Sequence, residues 1–194
     1  AVDEDHFRHG TWDDMEAAGG EVAEAIVASA VKGLTPVEPE LRTKVLRTEW
    51  PLQPAPTREE LEAVAEDSAR GAARREWARE MLGVLNRDGR LPDRVSVDVH
   101  GVQIGKGLRL IGVEGELVGE LGNHLIKRCG EGITFPMGYT DGCQIYLPSS
   151  RMLPEGSYEV DSYWEYHFPS PLRPGVEGLL DRAVMDLRKG GLLD

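Results

Sequence analysis

Every tyrosine of this 194-residue chain lies after residue 138: Tyr139, Tyr146, Tyr158, Tyr163 and Tyr166. Tyrosine joins an apolar ring to a hydroxyl that needs a partner, so their gathering beside turn-rich sequence marks one polar, aromatic-walled locus. Just upstream, a strand-like run ends in Gly115-Glu116 before a helical pattern begins. Strand ends are rigid and open onto the crevice at a sheet edge, where ligand and catalytic groups collect. A carboxylate at a helix N-terminus is also favoured electrostatically with no function at all. Gly115 permits a tight turn or a close backbone approach. Tyr146 ends the run Gly142-Cys143-Gln144-Ile145-Tyr146, where packing alone would account for it, and Tyr158 follows Glu155-Gly156-Ser157 in a predicted loop.

The other reactive residues are less organised. His6 and His9 are three apart, a spacing that can chelate on a helix, but near an irregular terminus they read as a surface pair. Glu120 and His124 share a helix face at i,i+4 and read as a surface contact. Cys129 and Cys143 lack the paired spacing of a structural zinc site and cannot build a disulfide framework, so they read as buried thiols. No His-Glu-x-x-His, phosphate-binding loop, dinucleotide fingerprint or Gly-x-Ser-x-Gly element occurs.

The formal charge of -12 argues against a nucleic-acid surface. Arg70, Arg74, Arg75 and Arg79 do cluster, but acids interleave them, with Glu66 and Arg70 at i,i+4, so they read as a solvated helix face. No apolar run reaches membrane-spanning length, which predicts no transmembrane segment. The opening Ala1-Val2-Asp3-Glu4-Asp5 has neither initiator Met nor a leader pattern. It reads like a loop interior, so the chain is expected to be a processed or truncated piece of something larger.

The positioning elements follow from periodicity. Thr11 or Asp13 can cap a helix with Trp12, Met15, Val22, Ile26 and Val27 at helical spacing, ended by Gly33 and Thr35-Pro36. Residues 44–50 alternate like a half-buried strand, and Pro51, Pro54 and Pro56 form a stiff connector. Thr57 and Glu60 make a capping box for a helix running to about Leu85, with Leu61, Val64, Trp77, Met81 and Val84 inward. From Arg94 the period becomes two, through Val95, Val97 and Val99, then a Gly-Lys-Gly turn and the run 108–113, a hairpin or adjacent strands. A helix from about Leu117 to Cys129, strands near 132–138 and 143–147, and a closing helix from about Pro174 complete the pattern. Its inward positions are Val176, Leu179, Leu180, Val184 and Leu187. The fold class is α/β, a mixed β-sheet with packed helices, read as a single domain over 1–194.

Three blocks together carry a resemblance: Val113-Glu114-Gly115-Glu116-Leu117, Gly138-Tyr139-Thr140-Asp141-Gly142-Cys143-Gln144-Ile145-Tyr146-Leu147-Pro148-Ser149, and Gly156-Ser157-Tyr158-Glu159-Val160. In order and spacing they resemble the C-terminal part of the catalytic domain of the neutral/alkaline ceramidases, and most closely the bacterial ceramidase-like branch. Segment 7–33 looks like the helix that follows the family's nucleophile loop. These enzymes are zinc amidases that cleave the N-acyl bond of ceramide. The resemblance implies that Glu116 and Tyr146 are zinc ligands and that Tyr158 stabilises the oxyanion at the scissile amide. Asp141 stands where the family has Asn, Cys143 where it has a first Tyr, and Pro148-Ser149 replace a Thr pair, departures that put a lipid substrate in doubt. The family's C-terminal β-sandwich has no counterpart in this chain.

The family's two zinc histidines and its serine nucleophile belong to sequence that precedes this chain, and the resemblance gives His6 and His9 no part in that set. The expectation is therefore a zinc-dependent N-acyl (amide) hydrolase part. It would be active only with an N-terminal companion polypeptide that brings the histidines and the nucleophile, and would act on an amide-containing substrate, lipid or soluble. Two rivals stand beside it: a ceramidase-like binding or assembly module without metal, and a zinc hydrolase of this fold acting on a non-lipid acyl bond. The acidic charge disfavours docking on anionic membranes and tips the substrate towards a soluble one.

Overall fold

A computed structural model describes residues 10–193, which divide into two compact units, one ending at Glu38 and the other beginning at Pro39. The first is built on α1 (Trp12–Val31), started where the sequence places it: Thr11 accepts the Asp14 N–H while the Asp14 carboxylate accepts the Thr11 N–H. None of its residues is buried; Trp12, Met15, Val22, Ile26 and Val27 all face solvent. His6 and His9 lie outside the described residues.

The second unit is α/β. Its elements are β1 (Pro39–Pro51), α2 (Arg58–Glu66), α3 (Ala72–Asp88), β2 (Arg94–Gly105), β3 (Leu108–Val113), β4 (Glu116–Leu117), α4 (Gly119–Cys129), β5 (Ile133–Met137), β6 (Tyr146–Leu147), α5 (Tyr158–Asp161) and α6 (Val176–Lys189). A four-stranded mixed sheet runs β1-β2-β3-β5, with the first two pairings antiparallel and β3–β5 parallel; β4 and β6 form a separate parallel pair. The Gly-Lys-Gly turn makes β2–β3 a hairpin.

Alternation dictates what each face buries. One face of the sheet presents Trp50, Val95, Val97, Val99, Ile111 and Val113 to Leu121 and Leu125 of α4 and to Leu180, Val184 and Leu187 of α6. Gly101 allows α6 to approach this closely, since a Cβ there would meet the Leu187 side chain at 2.8 Å. Arg109 is buried on the same face, donating to Thr134 Oγ1 (2.9 Å) and to the carbonyls of Cys129 (3.0 Å) and Glu131. Its charge sits at the C-terminal end of α4, where the helix dipole favours a cation, and fixes that helix to β3 and β5.

The expected helix from Thr57 to Leu85 is two helices. The Thr57–Glu60 capping box starts the first, but Asp67 turns its carboxylate back onto the Ala69 N–H (3.0 Å) and ends it in extended backbone. Aspartate's competition with the helical backbone, followed by Gly71 at the next cap, outweighs an otherwise continuous pattern. Arg70 pairs with Asp67 (3.4 Å) rather than Glu66. Nor is the arginine cluster wholly solvated: Arg74 is half-buried, its guanidinium 4.2 Å over the Trp77 ring and 5.1 Å over Trp164, with Nη2 donating to Tyr163 Oη (2.8 Å). That clamp ties α3 to the segment after α5. Among the described residues no helix is long and apolar enough to cross a membrane.

Candidate functional site

Glu116 and Tyr146 are thirty positions apart in sequence and directly opposite each other in the β4–β6 pair. The reason is local and backbone-driven. Segment 113–118 is hydrogen-bonded on both sides: Tyr139 and Thr140 N–H donate to the carbonyls of Gly115 (2.8 Å) and Val113 (3.3 Å), while Glu116 and Val118 N–H donate to Ile145 (3.0 Å) and Leu147 (3.4 Å). Glycine is needed where these strands crowd. Gly115 has φ 154°, and a Cβ on it would lie 2.8 Å from Leu147 and 2.9 Å from the Ile145 carbonyl oxygen. A Cβ on Gly138 would sit 3.0 Å from the Gly115 carbonyl oxygen. Glu114 pins the arm from the other side, one carboxylate oxygen accepting from Gln144 Nε2 (2.8 Å) and the other from the Asp98 N–H (3.1 Å).

The result is a direct hydrogen bond from Tyr146 Oη to Glu116 Oε1. Burial, and then that bond, push the Tyr146 phenol far above its ordinary range. Tyr139 faces the same carboxylate, which pushes its phenol up to about 12. Tyr158 and Tyr166 stand edge-on to the Tyr146 ring, at centroid distances of 5.6 and 6.3 Å. Cys143, half-buried rather than buried, lies with Sγ 3.8 Å from Tyr166 Oη. Four of the five tyrosines therefore surround one carboxylate. The fifth, Tyr163, belongs to the Arg74 clamp.

Tyr158 is the first residue of the short α5 rather than part of a loop, and it is 60% exposed at the rim. Its hydroxyl donates to Glu165 Oε2 (3.1 Å), which raises its pKa. An oxyanion would have to take that hydrogen bond from Glu165. Tyr139, also 60% exposed, forms the opposite rim, with its backbone at φ 53°; Asp141 has φ 60°. Two non-glycine residues in the left-handed region within three positions store backbone strain beside the site.

Sequence reasoning gathered Tyr139 and Tyr166 at this locus without giving them a role, and it gave none to Glu165 and Glu114. The clustering of tyrosine was the signal for the first two; nothing in the pattern signals the two glutamates. The remaining candidates lie elsewhere. His124 Nε2 contacts Asp181 Oδ1 (3.0 Å) while Glu120 accepts from Arg151 (2.9 Å), so this pair does not act together. The hollow of about 500 Å³ walled by Arg70, Gly71, Arg74, Asp161, Tyr163 and Trp164 contains none of the predicted site residues.

As a metal half-site the donors fit. A carboxylate and a phenol are hard oxygen ligands of a kind zinc accepts, and they converge on one point beside the exposed Tyr139 and Tyr158. Ligation would require the Tyr146 proton to leave, as metal binding generally deprotonates its ligands. Among the described residues no group of three or more His, Cys, Asp and Glu is placed to hold a metal. Comparison of the chain with protein-family models, with curated proteins and with solved structures returns no match.

Proposed function

We propose that this chain is part of a zinc-dependent amide (N-acyl) hydrolase of the neutral ceramidase kind. Glu116 and Tyr146 would be ligands of Zn2+, and an N-terminal companion polypeptide would supply the histidines and the nucleophile. One observation carries the reading. The two residues that the resemblance names as ligands, far apart in sequence, bring their oxygen atoms together across β4 and β6.

Bound zinc would polarise the amide carbonyl and lower the pKa of a bound water or hydroxyl. The chain's own residues do the rest. Glu116 orients Tyr146, and the edge-on rings of Tyr158 and Tyr166 hold the Tyr146 ring in place. Tyr158 exchanges its Glu165 hydrogen bond for one to the developing oxyanion, a donor of the sort typically worth roughly 3 kcal/mol in the transition state. The mutual satisfaction of Glu116 and Tyr146 also suits the rival reading, a binding module that never takes metal, because the pair leaves neither group without a partner.

The test is metal content and turnover. The chain alone should bind zinc weakly and hydrolyse no N-acyl substrate, since two oxygen ligands leave zinc under-coordinated. With the companion added, stoichiometric zinc and activity should appear together. In that complex Tyr158→Phe should keep its zinc and lose roughly 100-fold in kcat with little change in KM. Loss of zinc from that variant would overturn the role given to Tyr158. One tightly held zinc and multiple turnovers by the chain alone would overturn the half-site.

A further inference from the structure

One face of the sheet lies under α4 and α6; on the other, Thr140 and Asp141 cover only the end at Gly112 and His100. Cross-strand register places Val45, His100, Gly112 and Met137 in one row of the opposite face, and Thr43, Val102, Leu110 and Phe135 in the next; Leu108 and Ile133 follow. Along these rows Val45 is 54% exposed, Ile133 58%, Phe135 51% and Met137 46%, with Ile104 at 40%. Leu110, at the centre, is half-buried. Isolated surface apolar residues are ordinary; a contiguous block of them on a four-stranded sheet is not.

The geometry points to a second copy of this chain as the occupant, the two open faces stacking about a two-fold axis. Area supports it. Five strongly exposed apolar side chains and their half-buried neighbours offer on the order of 500–600 Å² per copy, so two copies clear the roughly 1,000 Å² that a specific interface needs. Shape supports it too. Four strands spaced about 4.8 Å apart are too broad for one helix of about 10 Å diameter, whereas an identical sheet about 10 Å away covers the whole face. In an isologous contact the same patch serves both partners, and apolar rows fall on apolar rows.

Charge is gathered at one end of the face. There Arg47 and Asp98 pair with each other at 3.1 Å, Glu49 and Glu114 lie close to Arg47, and His100 has Asp141 3.6 Å away. Repulsion comes from the chain's formal charge of -12, acts at longer range and is screened by salt. The dimer should therefore tighten as ionic strength rises. The proposal is independent of the metal reading, since it uses neither Glu116 nor Tyr146.

Sedimentation equilibrium of the purified chain decides it. The wild type should dimerise with a Kd of about 10 µM, several-fold tighter at high salt than at low salt. Phe135→Glu and Ile133→Glu should each weaken the dimer by roughly 30-fold or more, as expected for central anchors, with circular dichroism and Tm unchanged. Met185→Glu, an exposed position on α6, should leave the dimer intact. Should a buried-charge variant fail to fold, Phe135→Gln reads the same surface. A wild-type monomer at about 200 µM overturns the proposal and leaves the face to a different polypeptide. A dimer that survives Phe135→Glu, or that Ile26→Glu on α1 dissolves instead, overturns it as well.

Discussion

Replacing Tyr146 by Phe removes one oxygen and little else, which makes it the sharpest probe of the Glu116–Tyr146 pair. The ring keeps its edge-on contacts with Tyr158 at 5.6 Å and Tyr166 at 6.3 Å, so packing changes little. What goes is a hydrogen bond to a carboxylate, typically worth about 1.5–3 kcal/mol when one partner is charged. Glu116 is only half-buried and Tyr139 faces the same carboxylate, so it keeps other partners, and the loss should fall at the low end, about 1.5 kcal/mol. Urea unfolding of the wild type, Tyr146→Phe, Glu116→Gln and the double variant at pH 7 isolates the pairwise term, expected at about 1–2 kcal/mol. The sign of its pH dependence follows from the raised phenol. The contribution is fully present below the unfolded phenol's pKa near 10 and is lost as pH climbs through the higher folded value. A coupling below about 0.3 kcal/mol at pH 7 is within the scatter of independent sites and would show that the two side chains do not meet in solution.

Gly115→Ala should destabilise by about 1–3 kcal/mol, because its Cβ collides with the Ile145 carbonyl that receives the Glu116 N–H. The Glu116–Tyr146 coupling energy, measured in that background, should fall towards zero. Arg109→Ala should cost about 2–3 kcal/mol in urea unfolding, since it removes the guanidinium that joins Thr134 Oγ1 to the carbonyls of Cys129 and Glu131 and leaves buried Thr134 without that donor, while the Cys129 carbonyl keeps Arg188. Arg109→Lys should recover only part of that, one ammonium being unable to reproduce the guanidinium fork.

The elements with strong periodicity were legible. The Thr11 and Thr57 boxes, the alternating Val95-Val97-Val99 run and the Val176–Leu187 stripe all fold as their spacing requires. The break at Asp67 was not, because a side chain returning to its own backbone leaves no periodic trace. At the site, tyrosine enrichment located the region, yet the parallel contact of two two-residue strands lies below any pattern a sequence can show. Glu165 and Glu114 look like ordinary surface acids until the chain brings Tyr158 and Gln144 to them. The open sheet face was half visible. The Val95 series declares one buried side, while Ile133, Phe135 and Met137 declare the other only once register aligns them with Leu110.

The pairing of β4 with β6 has a consequence for how the protein breathes. The arm bearing Tyr146 is joined to the segment bearing Glu116 along two register partners, whereas β1 and β2 are zipped along eleven. Local opening draws on the least protected cooperative unit first. The amides of Glu116 and Val118 should therefore exchange with solvent at a free energy well below that of Val97 or Val99. The contact between Glu116 and Tyr146 would thus dissolve and re-form many times within the lifetime of one folded molecule, and a metal held there as proposed above would act as the rivet that closes that low-energy door.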